Sequence, residues 1–229
     1  MTDKRLAMES QAIHAGEIHD PSGAHVAPIH QTSTFTFPDM DTVTRWGAGE
    51  VEADIYTRVG NPTRRALAAK LKALESIGLD DTEDVGAEIF ASGMAAIAAA
   101  LMGLARTGDH VIAQRVLYGS TDHLVSDVLP EFGITTSRVA GLDADLLEQE
   151  FAAHPETTVV HLETPANPTM GIVDIATTVA IAREHGARVV VDNTFATPVL
   201  QRPLALGADV VVHSTTKYIN GHGTVIGGA

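Results

Sequence analysis

From about residue 85 onward the chain alternates short, continuously apolar runs with helix-like segments, and few folds accept that rhythm. The runs are AEIFAS (87–92), DHVIAQ (109–114), TTVVHLET (157–164), ARVVVDNT (187–194) and ADVVVHST (208–215). Between them lie helical patterns at 94–105, 120–130, 144–153 and 174–185. A strand that is apolar at consecutive positions has to be covered on both faces, as happens inside a parallel sheet. Strands alternating with helices therefore predict an α/β fold of three layers, a mostly parallel sheet flanked by helices. The segment VDIATTVAIAREHGA is punctuated as a helix, with Asp174 near its start and Gly186 just past its end.

Residues 1–60 behave differently. They carry Pro21, Pro28, Pro38, several histidines and the polar stretch HQTSTFTF, with little helical period before NPTRRALAAKLKALES (61–76). They are expected to form an extended N-terminal arm ahead of an α/β domain spanning 61–229. An arm whose composition is not that of a disordered segment must pack on something, and a partner subunit is the expected surface.

Composition narrows the function. With 29 acidic against 15 basic residues and a formal charge of −14, the chain lacks the clustered cations that neutralise phosphate backbones, so nucleic acid is not an expected partner. It has no cysteine, which removes disulfides and thiolate chemistry. The opening MTDKRLAMESQ lacks the apolar stretch of a secretory signal. The longest apolar run, MAAIAAALMGLA (94–105), is shorter than the roughly 20 residues that cross a bilayer. A soluble, cytoplasmic protein without membrane contact is expected.

In open α/β sheets, ligands gather beyond the carboxyl ends of the strands. Ser92, Tyr118, Asp192 and Lys217 all fall at such ends. ASGMAAI places Ser92, Gly93 and Met94 between an apolar run and an alanine-rich helix, where glycine lets the backbone approach a ligand and free helix amides attract an anion. The same residues also suit a plain strand-to-helix turn. Asp192 ends a buried run, and a carboxylate there must be paired or hydrogen-bonded, by a loop or by a ligand nitrogen. Tyr118 suits stacking on a planar ring as well as core packing with a wet tip. Ser214 and Thr216 flank Lys217 and suit either a phosphate or the loop backbone. Asn167 sits in a proline-bounded turn. Singly, each residue has an ordinary explanation. Jointly, in strand order, they supply the parts of a pyridoxal phosphate pocket: a lysine for a Schiff base and a carboxylate for the ring nitrogen.

Six stretches then carry a resemblance: YTRVGNPT (56–63), ASGMAAI (91–97), YGST (118–121), ETPANPT (163–169), VVVDNTF (189–195) and HSTTKYINGHG (213–223). In this order they resemble the Cys/Met-metabolism, or trans-sulfuration, family of pyridoxal phosphate enzymes, over almost the whole chain from QAIHAGE onward. The resemblance implies the large domain of a fold type I transferase. It also implies γ-elimination or γ-replacement on sulfur amino acids or homoserine esters, as in methionine γ-lyase, O-acylhomoserine sulfhydrylases and cystathionine γ-synthase or γ-lyase. By the resemblance, Lys217 carries the cofactor and moves the Cα proton, Asp192 pairs with the pyridinium nitrogen, and Tyr118 stacks on the ring and assists proton transfer. Gly93, Met94, Ser214 and Thr216 hold the phosphate, and Asn167 lies near the 3′-oxygen. Tyr56 and Arg58 reach the phosphate of a neighbouring subunit, which implies a homodimer or homotetramer with shared sites. The stretches look most like methionine γ-lyases, although Ser120 stands where those enzymes typically carry cysteine and sulfhydrylases often carry Gly or Ser. Family members are longer. The resemblance implies that a C-terminal domain bearing the arginine for the substrate carboxylate lies outside these 229 residues, so that the chain alone is expected to be nearly inactive.

Other chemistries fit less well. GHGTVIGG (221–228) is spaced wrongly for a dinucleotide fingerprint, and no G-x-x-x-x-G-K-[ST] occurs. G-x-S-x-G is absent, which disfavours a serine hydrolase. The 11 histidines lack an H-E-x-x-H spacing, so no metal is expected.

Overall fold

The computed structural model describes residues 6–82 and 84–229. By its internal contacts the chain divides into two units, Met1–Ala73 and Leu74–Ala229.

In the first unit, α1 (Met8–His14) and α2 (Met40–Gly47) interrupt otherwise irregular backbone, and α3 (Pro62–Glu75), whose last two residues belong to the second unit, begins after Asn61. The stretch expected as an extended arm thus carries two short helices. Asp39 explains the start of α2, because its side chain accepts the Thr42 amide at 2.8 Å and satisfies a first-turn donor. The Lys70 ammonium donates to the Ala12 and Ile13 carbonyls at 2.8 Å, closing the last turn of α1. Buried Asn61 donates to the His30 carbonyl and accepts the Thr63 amide, so one side chain secures both the irregular segment and the entry to α3.

The second unit holds a five-stranded, all-parallel sheet: β1 (His110–Gln114), β2 (Thr135–Val139), β3 (Thr157–Glu163), β4 (Arg188–Asp192) and β5 (Val210–Val212), in the order β2-β1-β3-β4-β5. Helices α4 (Gly93–Leu104), α5 (Gly119–His123), α6 (Leu129–Glu131), α7 (Ala144–Ala153), α8 (Ile175–Glu184) and α9 (Thr197–Leu200) complete it. Two apolar clusters cover the sheet. Leu147, Phe151, Ile175, Val179 and Ala182 from α7 and α8 pack with Ile112, Val160, Leu162, Val189 and Val191. Ile97, Leu101, Val125 and Leu129 pack with Val111, Ala113, Val159, Val190 and Val212. Successive strand residues fall in opposite clusters, as the pleat requires. This is the three-layer α/β architecture expected from the apolar runs.

The boundaries differ at three places. The run 87–92 forms no ladder strand; Phe90 makes a single antiparallel bridge to Gly228. Conversely, TTSRV at 135–139 forms β2 at the sheet edge, where only Val139 is buried. The expected helix 120–130 is α5, a π-helical turn (Leu124–Val128) and α6, the widened turn preceding Pro130, which has no N–H to continue a regular ladder.

His161 lies wholly buried in the middle of β3, and neither ring nitrogen closes a hydrogen bond among the described residues. Burial lowers its pKa from 6.5 to about 4; the nearby Val190 backbone favours the charged ring and only partly offsets that effect. The unfolded chain therefore takes up a proton at pH values where the folded chain does not. This contribution to stability is complete above about pH 6.5 and is lost as pH falls toward 4, by about 3 kcal/mol in total. His161→Leu is expected to be at least as stable as the parent at pH 7, since two unpaired buried nitrogens disappear. Its advantage should grow on acidification to pH 4.5, as measured by urea unfolding; an advantage that stays constant with pH contradicts a neutral buried ring.

Candidate active site

The order β2-β1-β3-β4-β5 reverses direction between β1 and β3, and such a switch opens a crevice beyond the strand ends. A cavity of about 680 Å³ occupies that end of the second unit, within the range of small-molecule sites. Its walls come from the segments that follow β1, β3, β4 and β5, and from the start of α4.

Ser92 caps α4 by accepting the Ala95 amide on its side chain at 3.1 Å, while its carbonyl accepts the Ala96 amide. The amides of Gly93 and Met94 precede the intrahelical ladder, and both residues line the cavity. Gly93 is also sterically required. A Cβ there would lie 2.6 Å from the Ser214 Cβ and 2.8 Å from its Cα, so glycine lets the lysine-bearing loop close against the helix start.

Asp192 ends β4 and is 6% exposed. Burial raises its pKa, against hydrogen bonds from Thr194 and the nearby His213, which lower it. The Thr194 amide donates to Asp192 Oδ1 at 2.9 Å, and the Thr194 hydroxyl accepts the Ser214 amide at 2.8 Å. These bonds tie the end of β4 to the loop carrying Lys217. Lys217 lies on the cavity wall in a turn whose amide donates to the Ser214 carbonyl, and its side chain is exposed. Tyr118, 43% exposed, stands at the start of α5 with its ring available to the cavity.

Of the residues expected from sequence, Gly93, Met94, Tyr118, Asn167, Asp192, Ser214, Thr216 and Lys217 all line this one cavity, as does Ser92. The Thr216 hydroxyl exchanges hydrogen bonds with the Gly227 amide and carbonyl at 3.0 and 3.2 Å, so it already serves the loop backbone. Tyr56 and Arg58 belong to the first unit, where the Arg58 guanidinium stacks 4.9 Å above the Tyr56 ring. They are not among the cavity's lining residues.

Sequence reasoning overlooked Glu163, Thr194, Phe195, Tyr218 and His222, which also line the cavity. Glu163 was findable: it ends the apolar run of β3 as Asp192 ends that of β4, and the argument from a carboxylate beside the core applies equally. Behind the cavity, Glu75 Oε1 accepts the Asn193 side-chain amide at 3.0 Å and lies 2.6 Å from His213 Nε2. Gln201 links Asn193 to the Thr164 carbonyl. This buried network joins the ends of β3, β4 and β5, keeping the cavity walls in register.

Among the described residues, no group of three or more His, Cys, Asp or Glu is arranged to hold a metal ion. The polar groups instead form an amine, a buried carboxylate, an aromatic face and a helix start with free amides. The family model for the Cys/Met metabolism PLP-dependent enzymes matches residues 9–229. The chain belongs to this family. An L-methionine gamma-lyase of Pseudomonas putida is 44% identical over 228 residues, covering 99% of this chain and 55% of the relative. A cystathionine gamma-synthase of Mycobacterium tuberculosis is 44% identical over 224 residues, 96% of this chain and 53% of the relative. A solved structure from Campylobacter jejuni, described as an O-acetylhomoserine (thiol)-lyase, superposes with TM-score 0.86 at 34% identity, covering 98% of this chain and 53% of that one. That structure carries N′-pyridoxyl-lysine-5′-monophosphate. The chain thus spans about half the length of the curated relatives it matches. For this family's cofactor the residues fit. An aldehyde needs an amine, a protonated ring nitrogen needs a carboxylate, and a phosphate needs the amides that Gly93 and Met94 present.

Proposed function

We propose that this chain forms the pyridoxal phosphate-binding part of an enzyme catalysing γ-elimination or γ-replacement on sulfur amino acids or homoserine esters, most like methionine γ-lyase. One observation carries the reading: Asp192, at the end of β4, and Lys217, from the loop after the adjacent parallel strand β5, line one cavity. When bound, pyridoxal phosphate supplies a protonated heteroaromatic ring that withdraws electron density from the substrate Cα. Lys217 holds the cofactor covalently and, once released, moves protons at Cα. Asp192 keeps the ring nitrogen protonated, with Thr194 orienting its carboxylate. Tyr118 offers its ring as a stacking face and its hydroxyl as a proton carrier. The Gly93 and Met94 amides and the Ser214 and Thr216 hydroxyls bind the phosphate. Tyr56 and Arg58 serve the phosphate of a partner subunit in a homodimer or homotetramer, and Asn167 lies near the ring's 3′-oxygen. No helix among the described residues is long and apolar enough to cross a membrane.

The test is titration with pyridoxal phosphate, borohydride reduction and peptide mapping. A reduced adduct at Lys217 is expected; an adduct confined to Lys4, Lys70 or Lys72, or none, overturns the reading. Assays of the whole protein with methionine, and with O-acetylhomoserine plus sulfide, separate lyase from sulfhydrylase. Ser120, beside Tyr118 and Gly119, favours testing the second seriously.

A further inference from the structure

Glu163 is a cavity-lining carboxylate that the chemistry above leaves unused. It ends β3 at the level of Asp192, its partner across the β3–β4 ladder, and is only 5% exposed. A buried carboxylate requires strong donors, and Glu163 has one for each oxygen. The Tyr118 amide donates to Oε2 at 2.9 Å, and the Asn167 amide donates to Oε1 at 2.6 Å. Those two donors lie 49 residues apart in sequence and begin the two segments bordering the switch crevice, one after β1 and one after β3. Glu163 is itself held: its amide donates to the Gln114 side-chain oxygen at 3.0 Å, at the end of β1. The carboxylate therefore sits in a rigid frame and grips both walls of the crevice at once.

Resting on the proposed function, we propose that Glu163 is a positioning residue: by bridging the Tyr118 and Asn167 amides it sets how far apart the two crevice walls stand, and thereby cofactor affinity and the placing of the Tyr118 ring. It need not touch reacting atoms to do so. Its engagement by two amides also divides labour between neighbouring carboxylates. Glu163 is committed to backbone donors, which leaves Asp192 to meet the ring nitrogen. The charged and titratable groups that line the cavity with it are Asp192 from β4, Lys217 and His222 from the loop after β5, and Tyr118 after β1. Burial raises the pKa of Glu163, the two amide bonds lower it, and Asp192 adds to the rise. Acidification should therefore loosen the bridge at a pH above the ordinary glutamate value of 4.5.

The experiment begins on cofactor-free protein. In wild type, the backbone amide signals of Tyr118 and Asn167 should titrate together with one midpoint above pH 4.5. In Glu163→Gln both should lose that titration, because the side chain no longer ionises and an NH2 donor replaces one of the two oxygens that accept the Tyr118 and Asn167 amides. Two amides that do not titrate, or that follow different midpoints, overturn the proposal. In the second arm, Glu163→Gln should bind pyridoxal phosphate about 30-fold more weakly, as expected when one of two charge-assisted bonds is lost. In the whole protein its kcat should fall by more than its KM rises. Affinity and kcat within twofold of wild type would also overturn it. If the variant does not fold, the wild-type titration decides alone. Wild type that shows the shared titration yet binds no cofactor refutes the proposed function and leaves the bridge intact.

Discussion

Lys217→Ala is expected to abolish covalent attachment of pyridoxal phosphate and to lower turnover of the whole protein at least about a thousand-fold, the scale on which removing a covalent catalyst acts. The structure gives reasons to expect this loss without unfolding. The turn that presents Lys217 is closed by backbone groups: its amide donates to the Ser214 carbonyl, and the Asn220 amide donates to the Thr215 carbonyl. Its side chain is exposed on the cavity wall, and truncating it opens no core void. Stability should stay within about 0.5 kcal/mol of wild type, as for surface substitutions generally. The cofactor should still bind, more weakly, through the helix amides and Asp192. Lys217→Arg should fail as well, since a guanidinium keeps its proton and makes a poor nucleophile. Absorbance titration, borohydride trapping and turnover measured on one preparation separate attachment from folding. A visible lysine-linked chromophore that survives in Lys217→Ala would move the attachment to Lys4, Lys70 or Lys72.

That the site could be anticipated at all follows from where burial is complete. The apolar runs around β1, β3, β4 and β5 are apolar because helices cover both faces, and each such run has a definite end. A charged or hydroxyl residue at that end stands out against it, so Asp192 and Lys217 were legible. β2 was not, because an edge strand buries little and TTSRV carries no apolar period. AEIFAS misled for the opposite reason: its apolar residues are only partly covered, and the segment is held near Gly228 by one bridge instead of a ladder. Glu163 escaped notice because its two partners are backbone amides, which no side-chain pattern announces. The same holds for Glu75, whose bonds to Asn193 and His213 span more than a hundred positions. Thr216 shows how two readings of one hydroxyl coexist: it lines the cavity beside the lysine and also bonds the Gly227 backbone, as either reading of the sequence allows.

The second large effect concerns Asp192. Asp192→Asn should lower turnover about a hundred- to a thousand-fold, the range for losing one preorganised electrostatic partner. Asparagine keeps the size of the side chain and an oxygen for the Thr194 amide, so the loop to Ser214 stays tied. What it lacks is the negative charge that holds a proton on the ring nitrogen, and without that proton the ring withdraws electrons poorly. The empty protein should respond in the opposite direction. Burial raises the pKa of Asp192 above its ordinary 3.8, so the folded chain holds a proton that the unfolded chain has released. The stability this confers is complete below pH 3.8 and is lost as pH rises through the raised value. Asp192→Asn, which never ionises, should therefore be at least as stable as wild type at pH 8, with an advantage that shrinks on acidification. A variant that loses turnover and stability together at pH 8 would make Asp192 a structural residue. One that gains stability while losing turnover marks a carboxylate kept charged against the cost of its burial because the ring nitrogen requires it.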